Sequence, residues 1–273
     1  MIDLLILLIK KFKNVLIVLL IGMLLANNTT ISNGIGEVTD YIKYSIGETR
    51  IEQRVDEGIP AWQIREYDVI IRVGEYNGKV GKRVYLDEIN INWKNIPTDI
   101  PIHKDNQGYY ISEYDINLKI AKSVYQELKK DGVNVKLQIA NGKSEDLNAA
   151  GRISNASNPK LYLSLHTNYY NENSSGFFFM YNEGNAGAKN IAQRLSNSIA
   201  NNGMVKQREN QANGGYIGEL NAIHNSTIGV LGELGFFSNP NELQRIISDE
   251  YVNYVGVHLS DEIQNILTDY WSK

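Results

Sequence analysis

Residues 112–139 read SEYDINLKIAKSVYQELKKDGVNVKLQI, and the period of their apolar residues changes once along the way. Ile116, Ile120, Val124 and Leu128 recur every four residues, which lays one apolar stripe along a helix. Lys130-Asp131-Gly132 closes the stripe, so the pattern predicts a helix from about Ser112 to Asp131 with a glycine stop. Val133 to Ile139 then reads as a strand. The same alternation continues downstream. A shorter helix opens at Ser144-Glu145-Asp146-Leu147, Leu161 to Leu165 is a strand, and Gly176 to Tyr181 (GFFFMY) is a buried strand. Ala186 to Asn202 is a helix with Ile191, Leu195 and Ile199 inward, and Ile228 to Leu234 is a strand. Asn239-Pro240-Asn241-Glu242 joins an N-cap, a proline at the first helical position and a glutamate three residues past the cap, so a helix starts there. A final amphipathic helix covers about Tyr251 to Tyr270. Strands alternating with helices imply an α/β fold, a three-layer α/β/α arrangement around a mainly parallel twisted sheet.

Upstream, Asp68 to Val73 (DVIIRV) and Lys82 to Ile91 (KRVYLDEINI) are β-branched runs separated by a stretch holding Asn77-Gly78, a strong hairpin signal. A short β-hairpin extension is expected there. Residues 27–66 are a linker, polar from Asn27 to about Pro60 with a faint helical pattern at Val38, Tyr41, Ile42 and Ile46. Residues 1–26 hold an apolar start, then Lys10-Lys11-Phe12-Lys13, then an apolar run from Val15 to Ala26. Basic residues ahead of such a run match a signal peptide or an uncleaved membrane anchor, with the body exported to the extracellular face. Residues 67–273 then form the catalytic domain.

Composition removes other classes. A chain of 273 residues holds one catalytic domain and a modest extension, without room for a second large one. With a net charge of -4 and scattered Lys and Arg, no electrostatic footprint for nucleic acid exists. Cysteine is absent, which excludes disulfides and thiolate ligands and leaves any metal to His and carboxylates. The chain also lacks the G-x-S-x-G elbow of a serine esterase.

In an open α/β sheet, ligands bind beyond the carboxyl ends of the strands. Two apolar strands end in polar residues: LYLSLHTN (161–168) runs into His166, and VLGELGFFSNP (230–240) is interrupted by Glu233. A strand-end histidine is often structural. A carboxylate inside a buried strand is costly unless it has a purpose.

The segment SLHTN (164–168), followed by GELGFFSNPNE (232–242), resembles the paired signatures of the type 3 N-acetylmuramoyl-L-alanine amidases, which read S-[IL]-H-x-N and E-x-G-F-[LIF]-S-N. GFFFMY, the helix opening Glu113-Tyr114-Asp115-Ile116-Asn117, and Arg152 and Asn155 before the His strand are similar too. The resemblance runs from about Val84 to the C-terminus. It implies a zinc-dependent hydrolase that cleaves the amide between N-acetylmuramic acid and L-alanine in peptidoglycan. It also implies Glu113 and His166 as Zn2+ ligands and Glu233 as the catalytic carboxylate.

One motif departs. The family carries D-P-G-H-G at the end of its first strand, and aligning the strand from Val84 by its Asp puts Asn90 where the first zinc-binding His belongs. His103, ten residues before Glu113, is the expected substitute ligand, with Asp87 and Glu88 as other candidates. The departure keeps open an alternative, an inactive amidase-like domain that binds peptidoglycan or a partner hydrolase. His224 is expected at a loop or substrate rim and His258 inside a helix as a structural residue. Tyr169, Tyr170 and Tyr216 fall in loops where they can stack on sugars.

Overall fold

The computed structural model describes residues 67–74, 82–89, 93–139, 150–151, 154–155, 157–183, 185–200 and 206–271. The expectations placed on residues 1–26 and 27–66, and on Asn90 and Arg152, lie outside them. Strand β1 (Val69–Val73) is followed by β2 (Arg83–Tyr85), β3 (His103–Lys104) and β4 (Tyr109–Ser112). Helix α1 (Glu113–Lys130), β5 (Val135–Gln138), β6 (Leu161–Asn168) and β7 (Phe178–Tyr181) come next. The chain continues through α2 (Ala188–Ala200), β8 (Gln211–Ala212), α3 (Gly218–Ala222), β9 (Ile228–Phe236), α4 (Pro240–Ile246) and α5 (Asp249–Trp271).

The main sheet has six strands in the order β5-β1-β6-β9-β7-β8. Its first four strands run parallel, β7 runs antiparallel to β9, and β8 runs parallel to β7. This is the α/β architecture expected from the alternation. Among the described residues, no helix is long and apolar enough to cross a membrane.

Helix α1 forms where the stripe predicted it. Ser112 caps it, accepting the Asp115 backbone N–H at 3.3 Å. At the other end the Val133 N–H reaches the Leu128 carbonyl and the Gly132 N–H reaches that of Lys129, which together close a Schellman motif. Ile116, Ile120, Val124 and Leu128 are fully buried against the sheet and α5. Each such burial contributes about 1.5–3 kcal/mol.

The hairpin expectation is corrected. Strand β1 does not pair with β2; it lies inside the main sheet between β5 and β6. Its burial, complete on both faces, is that of a central parallel strand. Strand β2 pairs instead with β4 in a separate antiparallel sheet of order β2-β4-β3.

Side chains alternate across each strand, so register assigns residues to faces. On one face Val69, Ile71, Val73, Leu161, Leu163, Leu165, Val230 and Leu234 join the large core with α1, α2 and α5. On the other face, Ile70, Tyr162 and Leu231 pack on Leu220 and Ile223 of the α3 region. Two residues further along each strand that second face turns polar, with Arg72, Ser164 and Glu233, and His166 stands next to Glu233 in register. The sheet therefore carries a dry face and a face whose carboxyl end is chemically equipped.

Candidate active site

His166 and Glu233 are paired in register on neighbouring parallel strands, so their side chains leave the same face side by side. Beyond them the register shifts, because β9 spends one residue more than β6 between Glu233 and Phe236. The shift is a bulge at Gly235, which has a φ of 141°; a Cβ added there would lie only 2.8 Å from Ile246, so the position has no place for a side chain.

The rest of the G-F-F-S-N-P-N-E segment holds that bulge. Asn239 caps α4, accepting the backbone N–H groups of Asn241 and Glu242. Glu242 reaches past the cap: its carboxylate accepts the Phe236 N–H at 2.8 Å and the Gly176 N–H at 3.1 Å, and pairs with Arg245 at 2.7 Å. Ser238 accepts the Tyr170 N–H, and Asn239 donates to the Ser174 carbonyl. The segment thus pins the loop that leaves the histidine strand, and that loop carries the exposed Tyr169 and Tyr170.

Glu113 enters from the first turn of α1. Its Oε1 lies 3.5 Å from His166 Nδ1 and accepts Asn117 Nδ2 at 3.3 Å. Asn117, one turn on, also donates to the Gly74 carbonyl at 3.2 Å and accepts the Thr167 hydroxyl at 3.0 Å. One amide therefore ties together the end of β1, the helix start and the histidine strand. Gly74 lies beside the His166 ring, where any side chain would collide with it: a Cβ there would stand 2.4 Å from ring carbons.

The opposite nitrogen of the ring faces a residue that sequence reading missed. His166 Nε2 lies 3.2 Å from Glu219 Oε1 and 3.1 Å from Ser164 Oγ. Glu219 sits on the short helix α3, accepts the Tyr162 hydroxyl at 2.9 Å and has Arg72 Nε at 4.0 Å. No motif marks Glu219, and Asn117 closes the helix-opening motif that begins at Glu113 but takes no role from it. Arg72 had a signal, as the polar break in DVIIRV at the same alternation as Ser164 and Glu233 on their strands.

Electrostatics follow from burial and pairing. Burial opposes a charge on His166, yet the carboxylates of Glu113 and Glu219, with Glu233 beyond, hold its pKa well above the ordinary imidazole value. Burial also opposes the charge of Glu219, but the His166 ring and Arg72 bring its carboxyl down to about 2.

The structure corrects the substitute ligand. His103 Nε2 pairs with Asp115 at 2.7 Å and its ring stacks on Tyr110, within the small sheet. Asp115 lies two residues after Glu113, about 200° round the helix, so His103 serves the face turned away from the cluster. Asp87 and Glu88 are exposed in the turn that follows β2, outside the main sheet. The alignment through Val84 fails because the strand beside the histidine strand is β1, which ends Arg72-Val73 and is followed by Gly74. Glu75, next in the sequence, lies outside the described residues. His224 is exposed, and His258 bonds the Tyr254 carbonyl of its own helix.

A metal can be tested against the donor geometry. Two donors on one tetrahedral zinc, each about 2.0–2.1 Å away, stand roughly 3.3 Å apart. Glu113 Oε1 and His166 Nδ1, at 3.5 Å, fit that spacing. Among the described residues no group of three His, Asp or Glu completes such a site.

The family of N-acetylmuramoyl-L-alanine amidases matches residues 103–265, a span that holds Glu113, His166, Glu219 and Glu233. The chain belongs to this family. That membership places it among the peptidoglycan amidases of the cell wall. Among solved structures, the chain is similar to an N-acetylmuramoyl-L-alanine amidase from Clostridium difficile 630, with a TM-score of 0.57 and 20% identity over 76% of this chain and 99% of that one. The catalytic domain of CwlV, an amidase from Bacillus (Paenibacillus) polymyxa var. colistinus, is similar at 0.56 and 20% identity over 73% and 97% of the two chains. The CwlD amidase from Clostridioides difficile, solved in complex with the GerS lipoprotein, is similar at 0.55 and 19% identity over 74% and 99%. At these identities the likeness speaks for the fold. No curated protein matches the chain in sequence.

Proposed function

We propose that this amidase hydrolyses the bond between N-acetylmuramic acid and the L-alanine of the stem peptide, with zinc held by Glu113 and His166 and with Glu233 as the general base. The observation that carries the reading is the convergence of Glu113 and His166 at 3.5 Å beside Glu233, from three elements far apart in the chain. Zinc, when bound, supplies a Lewis acid that polarises the scissile carbonyl and makes water more acidic. Glu233, half-buried next to His166, takes the proton of the attacking water and delivers it to the departing L-alanine nitrogen. Glu113 and Asn117 fix the distance between helix and strand, and the absence of a side chain at Gly74 leaves the space that the His166 ring occupies. The basic and apolar segment 1–26 supports an exported protein, secreted or tethered to the outer face of a bacterial membrane, that meets peptidoglycan there.

Mass spectrometry of purified muropeptides incubated with the protein tests this. Release of free stem peptides, abolished by chelator, restored by zinc and lost in Glu233→Gln, is expected. Absence of release by the zinc-loaded wild type overturns it. A second reading, an inactive domain that binds peptidoglycan or a partner hydrolase, is favoured by one observation: the strand beside His166 ends at Val73 and Gly74 follows it, with no D-P-G-H-G in the sequence there. Muropeptide binding without release would be its result.

A further inference from the structure

On the polar face of the sheet, Glu233 has a second neighbour, on the side away from His166. Phe178 of β7 is paired in register with Glu233, and Met180, two residues on, is paired with Leu231 in the apolar patch of that face. Alternation therefore puts the Phe178 ring beside the Glu233 side chain. The guanidinium of Arg208 lies over that ring at 5.9 Å and over the Phe236 ring at 5.1 Å. Both rings are buried, whereas Arg208 is exposed. We propose that Arg208 is a specificity-determining residue: it binds a free carboxylate on the second residue of the stem peptide, on the leaving-group side of the scissile amide. This inference rests on the peptidoglycan reading above and on Glu233 facing the scissile bond, and it acts through no metal.

Three features support the assignment. First, the placement of Arg208 is built into the backbone. The Phe177 N–H donates to the Lys206 carbonyl and the Arg208 N–H to the Phe177 carbonyl, which lays this segment along the start of β7. Gln207 turns to Ser196 of α2 on the dry face, so Arg208, the next residue, turns to the other. Gly176, with a φ of 99°, leaves room for the arginine stem: a Cβ there would lie 3.0 Å from Arg208 Cγ. Second, the charge is uncommitted. Among the described residues no carboxylate pairs with the Arg208 guanidinium, and Glu242, which contacts both Gly176 and Phe236, pairs with Arg245 instead. A guanidinium laid on aromatic rings keeps its planar fork of N–H donors for a carboxylate. Third, the chemistry of the substrate selects its peptide half. The lactyl carboxyl of N-acetylmuramic acid is consumed in the scissile amide, so the free carboxylates belong to the peptide. Reach agrees: one strand spacing plus the 5.9 Å to the ring puts the guanidinium about 11 Å from Glu233. Two extended residues span about 7 Å and a hydrogen bond adds about 3 Å.

The test uses the full chain, in detergent where required, carrying Glu233→Gln so that the probe stays intact. Calorimetry compares N-acetylmuramoyl-L-alanyl-D-glutamate with its diamide, in which both carboxyl groups are uncharged, for the chain with Arg208, with Arg208→Gln and with Arg208→Lys. With Arg208 in place, the free acid should bind about 10-fold more tightly than the diamide. The two compounds should bind equally to Arg208→Gln, and Arg208→Lys, which keeps the charge without the fork, should show a smaller preference. The preference should shrink as salt is raised. Binding of neither compound removes the peptidoglycan reading, and this inference with it. Binding of both with no preference for the acid, or a preference that survives in Arg208→Gln, overturns the role of Arg208 alone. A lower melting midpoint in Arg208→Gln with the preference intact would make the arginine a cover for two rings and nothing more.

Discussion

Replacing Glu242 by alanine removes one carboxylate that satisfies two buried backbone donors, and the consequence can be worked out group by group. Phe236 N–H at 2.8 Å and Gly176 N–H at 3.1 Å both lose their acceptor. A buried donor left unmade costs about 1–3 kcal/mol, so the two together cost about 4 kcal/mol. The Arg245 partner is a quarter exposed and its pair adds little. Against a total stability of about 5–15 kcal/mol this is a large fraction. Urea unfolding followed by circular dichroism should show the midpoint falling by roughly 1.3–2 M with an unchanged slope of about 2–3 kcal/mol/M. Glu242→Gln, which retains one acceptor oxygen, should lose about half as much. A loss below about 1 kcal/mol in Glu242→Ala would refute the idea that this carboxylate holds the bulge and the loop after the histidine strand.

Glu233→Gln keeps the shape of the site and removes the base, so kcat should fall about 10²- to 10⁴-fold while zinc content, read by atomic emission, stays at the wild-type level. Glu113→Ala and His166→Ala should each lose the metal, whereas His103→Ala, whose partner is Asp115, should retain it; equal losses in all three would return His103 to the ligand set.

Periods of two and four were enough to read α1, the histidine strand and α4, because burial on one face demands apolar residues at those spacings and the caps are local. His166 and Glu233 stand out in the sequence as polar residues at the end or in the middle of an apolar strand, whereas Glu113 is picked out only through the family resemblance. Strand pairing was not legible. DVIIRV next to Asn77-Gly78 has the composition of a hairpin strand, and nothing within it says that its partners stand more than sixty residues away in β5 and β6. Hydrogen bonds between strands are made by backbone atoms common to all residues, so pairing is settled by how the whole set of elements packs. The misreading propagates, since aligning the wrong strand for the first ligand leaves a gap that only His103 seems placed to fill. Glu219, Asn117 and Arg72 depend on the same long-range assembly. Their roles exist because α3, the start of α1 and the end of β1 meet around one imidazole ring, and side chains with no spacing in common can be read together when the fold has brought them there.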